Sequence, residues 1–140
     1  MKMAPDDVAR TRREIVIRLL TAIAARDRVS ASRCIADDIT WWVPQSAGAR
    51  GLERPLRGRA PVLELLCGES RYEVGTMVWE YHQVFHSDDF VIAHCSLRAT
   101  TRSGRDYENQ YALLYRFDDL SIKEAWEHTD TAYAFSRFED

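Results

Sequence analysis

The stretch DFVIAHCSLRATTRSGRDYENQYALLYRFDDLSIKEAWEHTDT, Asp89 to Thr131, decides the fold. Residues 90–102, 106–117 and 121–129 read as three long strands, with Ser103-Gly104 and Asp118-Asp119 as the turns between them. Successive side chains on a strand point to opposite faces. On the first strand, Phe90, Ile92, His94, Ser96, Arg98 and Thr100 share one face, and Val91, Ala93, Cys95, Leu97 and Ala99 share the other. On the second, Tyr107, Asn109, Tyr111, Leu113, Tyr115 and Phe117 oppose Glu108, Gln110, Ala112, Leu114 and Arg116. On the third, Ala125, Glu127 and Thr129 oppose Glu124, Trp126 and His128. Hydrophobicity alone leaves the inner face of the first strand open. Either the blander side is core and His94, Ser96 and Arg98 are exposed, or the polar side lines a pocket.

Upstream of this stretch, Tyr72 to Phe85 reads as another strand, with Met77, Trp79, Tyr81 and Phe85 alternating with more polar positions. Val8, Ile15, Leu19, Ala22 and Ile23 recur at three- and four-residue spacing, which predicts an amphipathic helix over 7–26 capped by Asp6 or Asp7. Ser30 is the expected cap of a short second helix reaching Ala36. Residues 39–44, ITWWVP, favour a strand ended by Pro44. Residues 45–58 hold three of the six glycines and read as a loop, with 45–57 a pocket rim or a lid. A third helix is predicted over 59–67, with Pro61 in its first turn and Gly68 at its end. Asp130-Thr131 reads as the cap of a last helical turn. Helices followed by a contiguous antiparallel run give an α+β fold, with helices packed on one face of a curved sheet.

At 140 residues the chain reads as one domain, 1–140. Its net charge of −3 and its interleaved acids and arginines give no basic face for a nucleic-acid partner. Three widely spaced cysteines, Cys34, Cys67 and Cys95, fit reduced thiols in a cytoplasmic protein better than disulfides or a zinc site. The N-terminus lacks an apolar signal segment, and no run is long enough for a membrane span. No metal or nucleotide motif is present, so no cofactor is expected.

Four features together carry a family resemblance. A helical opening leads into ADDITWWVP, and Gly58-Arg59 precedes a short helix. Arg116-Phe117-Asp118-Asp119 comes before Ile122, and the chain then runs through WEHTDTA. In these the chain resembles SnoaL-like proteins of the NTF2-like, or ketosteroid isomerase-like, superfamily. The resemblance covers nearly all of residues 7–138. It implies an α+β cone: a curved antiparallel sheet packed on three N-terminal helices and enclosing a pocket. It also implies a homodimer through the convex sheet face and a small hydrophobic ligand.

Within that superfamily the limonene-epoxide hydrolase pattern offers the nearest register. Its pocket strand, placed against Gly104, falls on His94-Cys95-Ser96-Leu97, and its final-strand acid falls on Glu127. The resemblance thereby points His94, Ser96, Arg98, Asn109, Tyr111 and Glu127 inward, with Trp41 and Val43 from the first strand. His94, Glu127 and Arg98 are the implied catalytic group. Trp41, Val43, Ser96, Asn109, Tyr111 and Leu113 are the implied substrate-binding wall. Two carboxylates of the epoxide hydrolase become one here, and the ketosteroid isomerase's hydrogen-bonding acid falls at Leu113. The implied activity is therefore cofactor-free acid–base chemistry on an apolar cyclic compound, of isomerase, cyclase, dehydratase or hydrolase type. The alternative is a non-catalytic ligand-binding or dimeric scaffold domain, since this fold hosts both.

Overall fold

The computed structural model describes residues 2–139. The chain opens with α1 (Pro5–Ala25) and α2 (Arg28–Ser32). Strand β1 (Ile35–Trp42), helix α3 (Gln45–Ala49), strand β2 (Leu56–Arg57) and helix α4 (Arg59–Cys67) come next. Then come β3 (Val78–Ser87), β4 (Phe90–Thr100), β5 (Asp106–Asp118), β6 (Ser121–Thr129) and α5 (Thr131–Phe138). All six strands form one curved, unclosed sheet in the order β2-β1-β6-β5-β4-β3. The run from β3 to β6 is antiparallel, as the alternation predicts. β1 joins it parallel to β6, so the sheet is wider than the four-strand run and is not purely antiparallel.

The helices cover one face. Ile15, Val16, Leu19, Leu20, Ala22 and Ile23 form the buried stripe of α1, and Val62, Leu63 and Cys67 that of α4. They meet Val91, Ala93, Cys95 and Leu97 of β4 and Leu113, Tyr115 and Phe117 of β5. Burying each aliphatic side chain of this kind stabilises the fold by roughly 1.5–3 kcal/mol.

Several sequence expectations move when the backbone is seen. α1 is capped by Ala4 without a side-chain bond, and Asp6 and Asp7 sit inside its first turn, where they complement the helix dipole. Asp27, not Ser30, caps α2: its carboxylate accepts from the Ser30 amide at 3.0 Å and from the Ser30 hydroxyl at 2.6 Å. Residues 72–77 are not strand. Gly75 takes φ +80° there, and a turn from Glu73 to Thr76 interrupts the pairing, so only Tyr72 bridges Thr101 before β3 begins. The segment after β1, expected as loop over 45–58, holds α3 and β2. Ser46 Oγ bonds Thr131 Oγ1 at 2.6 Å, and Arg50 lies 4.1 Å over the Phe135 ring, so α3 is tied to α5. Asp130 caps α5 by accepting from the Tyr133 amide at 3.0 Å.

Candidate functional site

Cross-strand register decides which side chains share a wall. Trp41, Ala125, Tyr115 and Val91 lie in one row across four strands. The next row on the same face is Glu127, Leu113 and Ala93, and the next is Thr129, Tyr111 and Cys95. Asn109 pairs with Leu97 beyond them. This is the helix-facing side, since Trp41, Val43, Asn109, Tyr111 and Leu113 are all buried. Six of the nine expected site residues, Glu127 among them, are thus brought onto one wall.

The other three are not. His94 pairs with Ala112, Ser96 with Gln110 and Arg98 with Glu108, all on the outer face. The expected inward aim of His94, Ser96 and Arg98 is therefore corrected. Placing the epoxide-hydrolase pattern against Gly104 put the wall residues one position out of phase, and a one-residue slip exchanges the two faces of a strand. The blander side of β4, with Cys95 and Leu97, is the inner one. Arg98 does not reach Glu127. It is exposed and pairs with Glu80 and Glu108 at 3.4 Å each. Ser96 is buried because His82 lies over it, with Nε2 2.7 Å from Oγ. A register shift between Tyr81 and Gln83 turns His82 toward Ser96 and brings its ring centroid to 5.0 Å from that of His94.

Glu127 is the only acid in these inner rows. Trp41 Nε1 donates to its Oε1 at 2.8 Å. The small Ala125 between Trp41 and Tyr115 lets the two rings meet edge-on at 6.0 Å. Burial pushes the Glu127 carboxyl above the ordinary 4.5, and the Trp41 N–H opposes that rise by favouring the ionised form. The Tyr115 hydroxyl is buried without a hydrogen-bond partner, as is the Trp79 indole N–H. Burial, and then the Glu127 charge, raise the Tyr115 phenol well above 10.0. A carboxyl on such a wall can give or take a proton as a general acid or base. Buried N–H and O–H donors lacking acceptors are suited to holding a ligand oxygen.

A second polar cluster adjoins this one. Tyr107 and Tyr111 hydroxyls lie 2.7 Å apart, and Asn109 Nδ2 donates to Tyr107 Oη at 3.0 Å and to the Asp130 carbonyl at 2.9 Å. Tyr72 packs edge-on against Tyr107 with centroids 5.1 Å apart. Burial is the main reason the Tyr72 phenol is raised, with neighbouring Tyr107 and then Glu127 adding smaller effects. Sequence reasoning misses Tyr72, Tyr107 and Trp79 as site residues. A signal for Tyr107 exists, because it shares the alternation phase of Asn109 and Tyr111. For Tyr72 there is none, since it reaches the cluster from a segment that is not strand.

A model of the SnoaL-like domain matches residues 16–125. The chain belongs to the SnoaL-like domain family. Solved structures agree on the fold of this SnoaL-like protein. An NTF2-like protein of unknown function from Burkholderia pseudomallei K96243 superposes with a TM-score of 0.81 at 18% identity, covering 93% of this chain and 98% of that one. TerC, co-crystallized with polyporic acid, gives 0.80 at 18% identity over 93% and 99%. An LEH-like epoxide hydrolase from M. tuberculosis gives 0.72 at 14% identity over 93% and 90%. No curated protein matches the SnoaL-like chain in sequence. Among the described residues, no helix is long and apolar enough to cross a membrane.

Proposed function

We propose that this SnoaL-like protein is a small-molecule enzyme of isomerase, cyclase, dehydratase or hydrolase type, with Glu127 as its acid–base residue. The observation that carries this reading is the Glu127 carboxyl: half-buried on the helix-facing wall, raised, and fixed by one indole N–H at 2.8 Å. In this reading Glu127 moves a proton at a carbon or oxygen of a ring-bearing substrate. The Tyr115 hydroxyl and the Trp79 N–H then donate to the oxygen on which negative charge develops. Trp41, Val43 and Leu113 supply apolar wall, and Asn109 and Tyr111 the polar end. The outer-face positions of His94 and Arg98 give them no part in this step. TerC, a structural neighbour at 18% identity, is co-crystallized with polyporic acid, which supports a small organic ligand here as well.

The test is turnover. Glu127→Gln keeps the shape and one acceptor oxygen but removes the titrating proton. It is expected to lower kcat on any verified substrate by about 10²–10⁴-fold. Unchanged kcat removes Glu127 from the chemistry.

One observation favours a second reading, a ligand-binding or scaffold domain without turnover. Tyr115 is 0% and Trp41 2% exposed, so the chain's own side chains occupy much of the helix-facing wall. That reading expects tight capture of a ligand that is released unaltered.

A further inference from the structure

Two clefts adjoin where the segment after α4, the β4–β5 turn and the end of α5 come together. One, of about 370 Å³, is lined by Arg71, Arg102, Ser103 and Phe138 among others. The second, of about 320 Å³, adds Arg26 and Tyr72. Glu69, Ser70 and Arg102 belong to both, so the two form one groove. Three arginines and two acids, Glu69 and Glu73, line it. Arg102 pairs with Glu69 at 2.9 Å, but both side chains are well exposed, and such surface pairs are weakly held. Among the described residues, Arg71 and Arg26 form no ion pair.

The groove has an aromatic floor. The Arg71 guanidinium lies 5.0 Å over the Phe138 ring, and Phe138 packs on Tyr72 at 5.6 Å and stacks on Tyr107 at 5.5 Å. Tyr72 links the two regions. It lines the groove, it packs against Tyr107 of the buried tyrosine cluster, and that cluster lies beside Glu127. A planar guanidinium pairs with carboxylate oxygens in a two-pronged geometry, and a flat ring stacks on the neighbouring aromatics.

We propose that this groove recognises a flat, ring-bearing organic anion, with Arg71 and Arg102 holding its acidic group and Phe138 and Tyr72 its ring. It rests on the proposed enzyme reading only for the chemistry after docking, because docking itself is measured without turnover. The probe is anilinonaphthalene sulfonate, a fluorescent aromatic anion, and the control is the neutral N-phenylnaphthylamine. In the double variant Arg71→Ala, Arg102→Ala, the sulfonate is expected to bind about tenfold more weakly and the neutral probe within about twofold of the parent. Added salt should weaken only the sulfonate. Both arginines are exposed, so the fold persists, and an unchanged melting temperature checks this. Tyr72→Ala is expected to weaken both probes, by removing ring surface. Equal loss of both probes in the arginine variant, no loss of either, or no sulfonate binding by the parent overturns the proposal. Glu127→Gln separates the two readings: sulfonate binding stays within about twofold even if turnover is lost. Retained turnover in that variant sinks the acid–base role and leaves the groove standing.

Discussion

Glu127 is a carboxyl whose two oxygens have different surroundings. Oε1 takes the Trp41 N–H, and among the described hydrogen bonds Oε2 takes none. Burial disfavours its charge more than one indole N–H favours it, so the folded protein holds this proton more tightly than the unfolded chain does. Stability from this group is therefore fully present below the ordinary 4.5 and is lost as pH rises through the elevated folded value. Gln at this position carries no charge to bury. Glu127→Gln is expected to melt higher than the parent above that window, with the gap closing as pH falls toward 4.5. Thermal unfolding of both proteins across a pH series measures it. A gap independent of pH would mean that the carboxyl reaches solvent when ionised. A site group that destabilises the fold in its working form fits a functional role better than a structural one.

At the scale of elements, the sequence shows which residues alternate but not which way the alternation faces. On β5 the two coincide, because Tyr107 through Phe117 is aromatic or apolar at nearly every inward step and its opposite face holds Glu108, Gln110 and Arg116. On β4 they separate. Its inner side offers only Val, Ala, Cys and Leu, and its outer side offers His94, Ser96 and Arg98, which look like chemistry when seen alone. Only pairing with β5 orients β4, and pairing is a non-local property that the β4 sequence does not contain. Arg12 is hidden for the same reason. It reads as part of the charged face of α1, yet it is 7% exposed. Its Nε donates to the Asp119 carbonyl at 2.8 Å, and Nη1 to the Asp88 carbonyl at 3.3 Å. These carbonyls sit in the β5–β6 and β3–β4 turns, at Asp119 and Asp88, both with positive φ. One side chain thus ties α1 to two hairpins and lies 5.4 Å over the Phe117 ring. Arg12→Met is expected to cost about 2–3 kcal/mol in denaturant unfolding. Nη1 also lies 3.2 Å from His86 Nε2, a contact that needs Nε2 unprotonated. Desolvation, then Arg12, holds the His86 pKa below 6.5. Stability from His86 is present above 6.5 and is lost as pH falls through the lower folded value. His86→Gln should flatten the acid limb of the melting profile below pH 6.5, and Arg12→Met should flatten part of it. An acid limb that survives both substitutions places the titration elsewhere.

For the molecule as a whole, the question is what covers the outer face of the sheet. Helices bury only the other side. Ile92, Leu114 and Trp126 lie in one row across β4, β5 and β6 on the uncovered face, each half-buried. Phe85, opposite Ile92, is 45% exposed, and Phe90 packs on Trp126 at 6.0 Å. The rim is charged in both signs: Arg98 between Glu80 and Glu108 on one side, and Arg116 with Glu124 at 3.2 Å on the other. An apolar centre inside a mixed-charge rim is the layout of an interface. Opposite charges at short spacing let such a face complement itself about a two-fold axis. A second copy is the occupant that the family resemblance implies, and that expectation can be tested. A stable pair needs about 800 Å² buried on each subunit, which requires this row to sit near the centre of the contact. Ile92→Asp puts a carboxylate into that centre, where it has no cation opposite it within its own chain. Sedimentation is expected to show a dimer for the parent at micromolar concentration and a monomer for Ile92→Asp. The folded monomer should keep its near-ultraviolet signal, because the helix-facing core does not include this position. A monomeric parent, or a variant that still sediments as a dimer, removes the outer face from any assembly role. The result also bears on His82 and His94, whose rings lie beside this row: a dimer would enclose them, and a monomer would leave them to solvent.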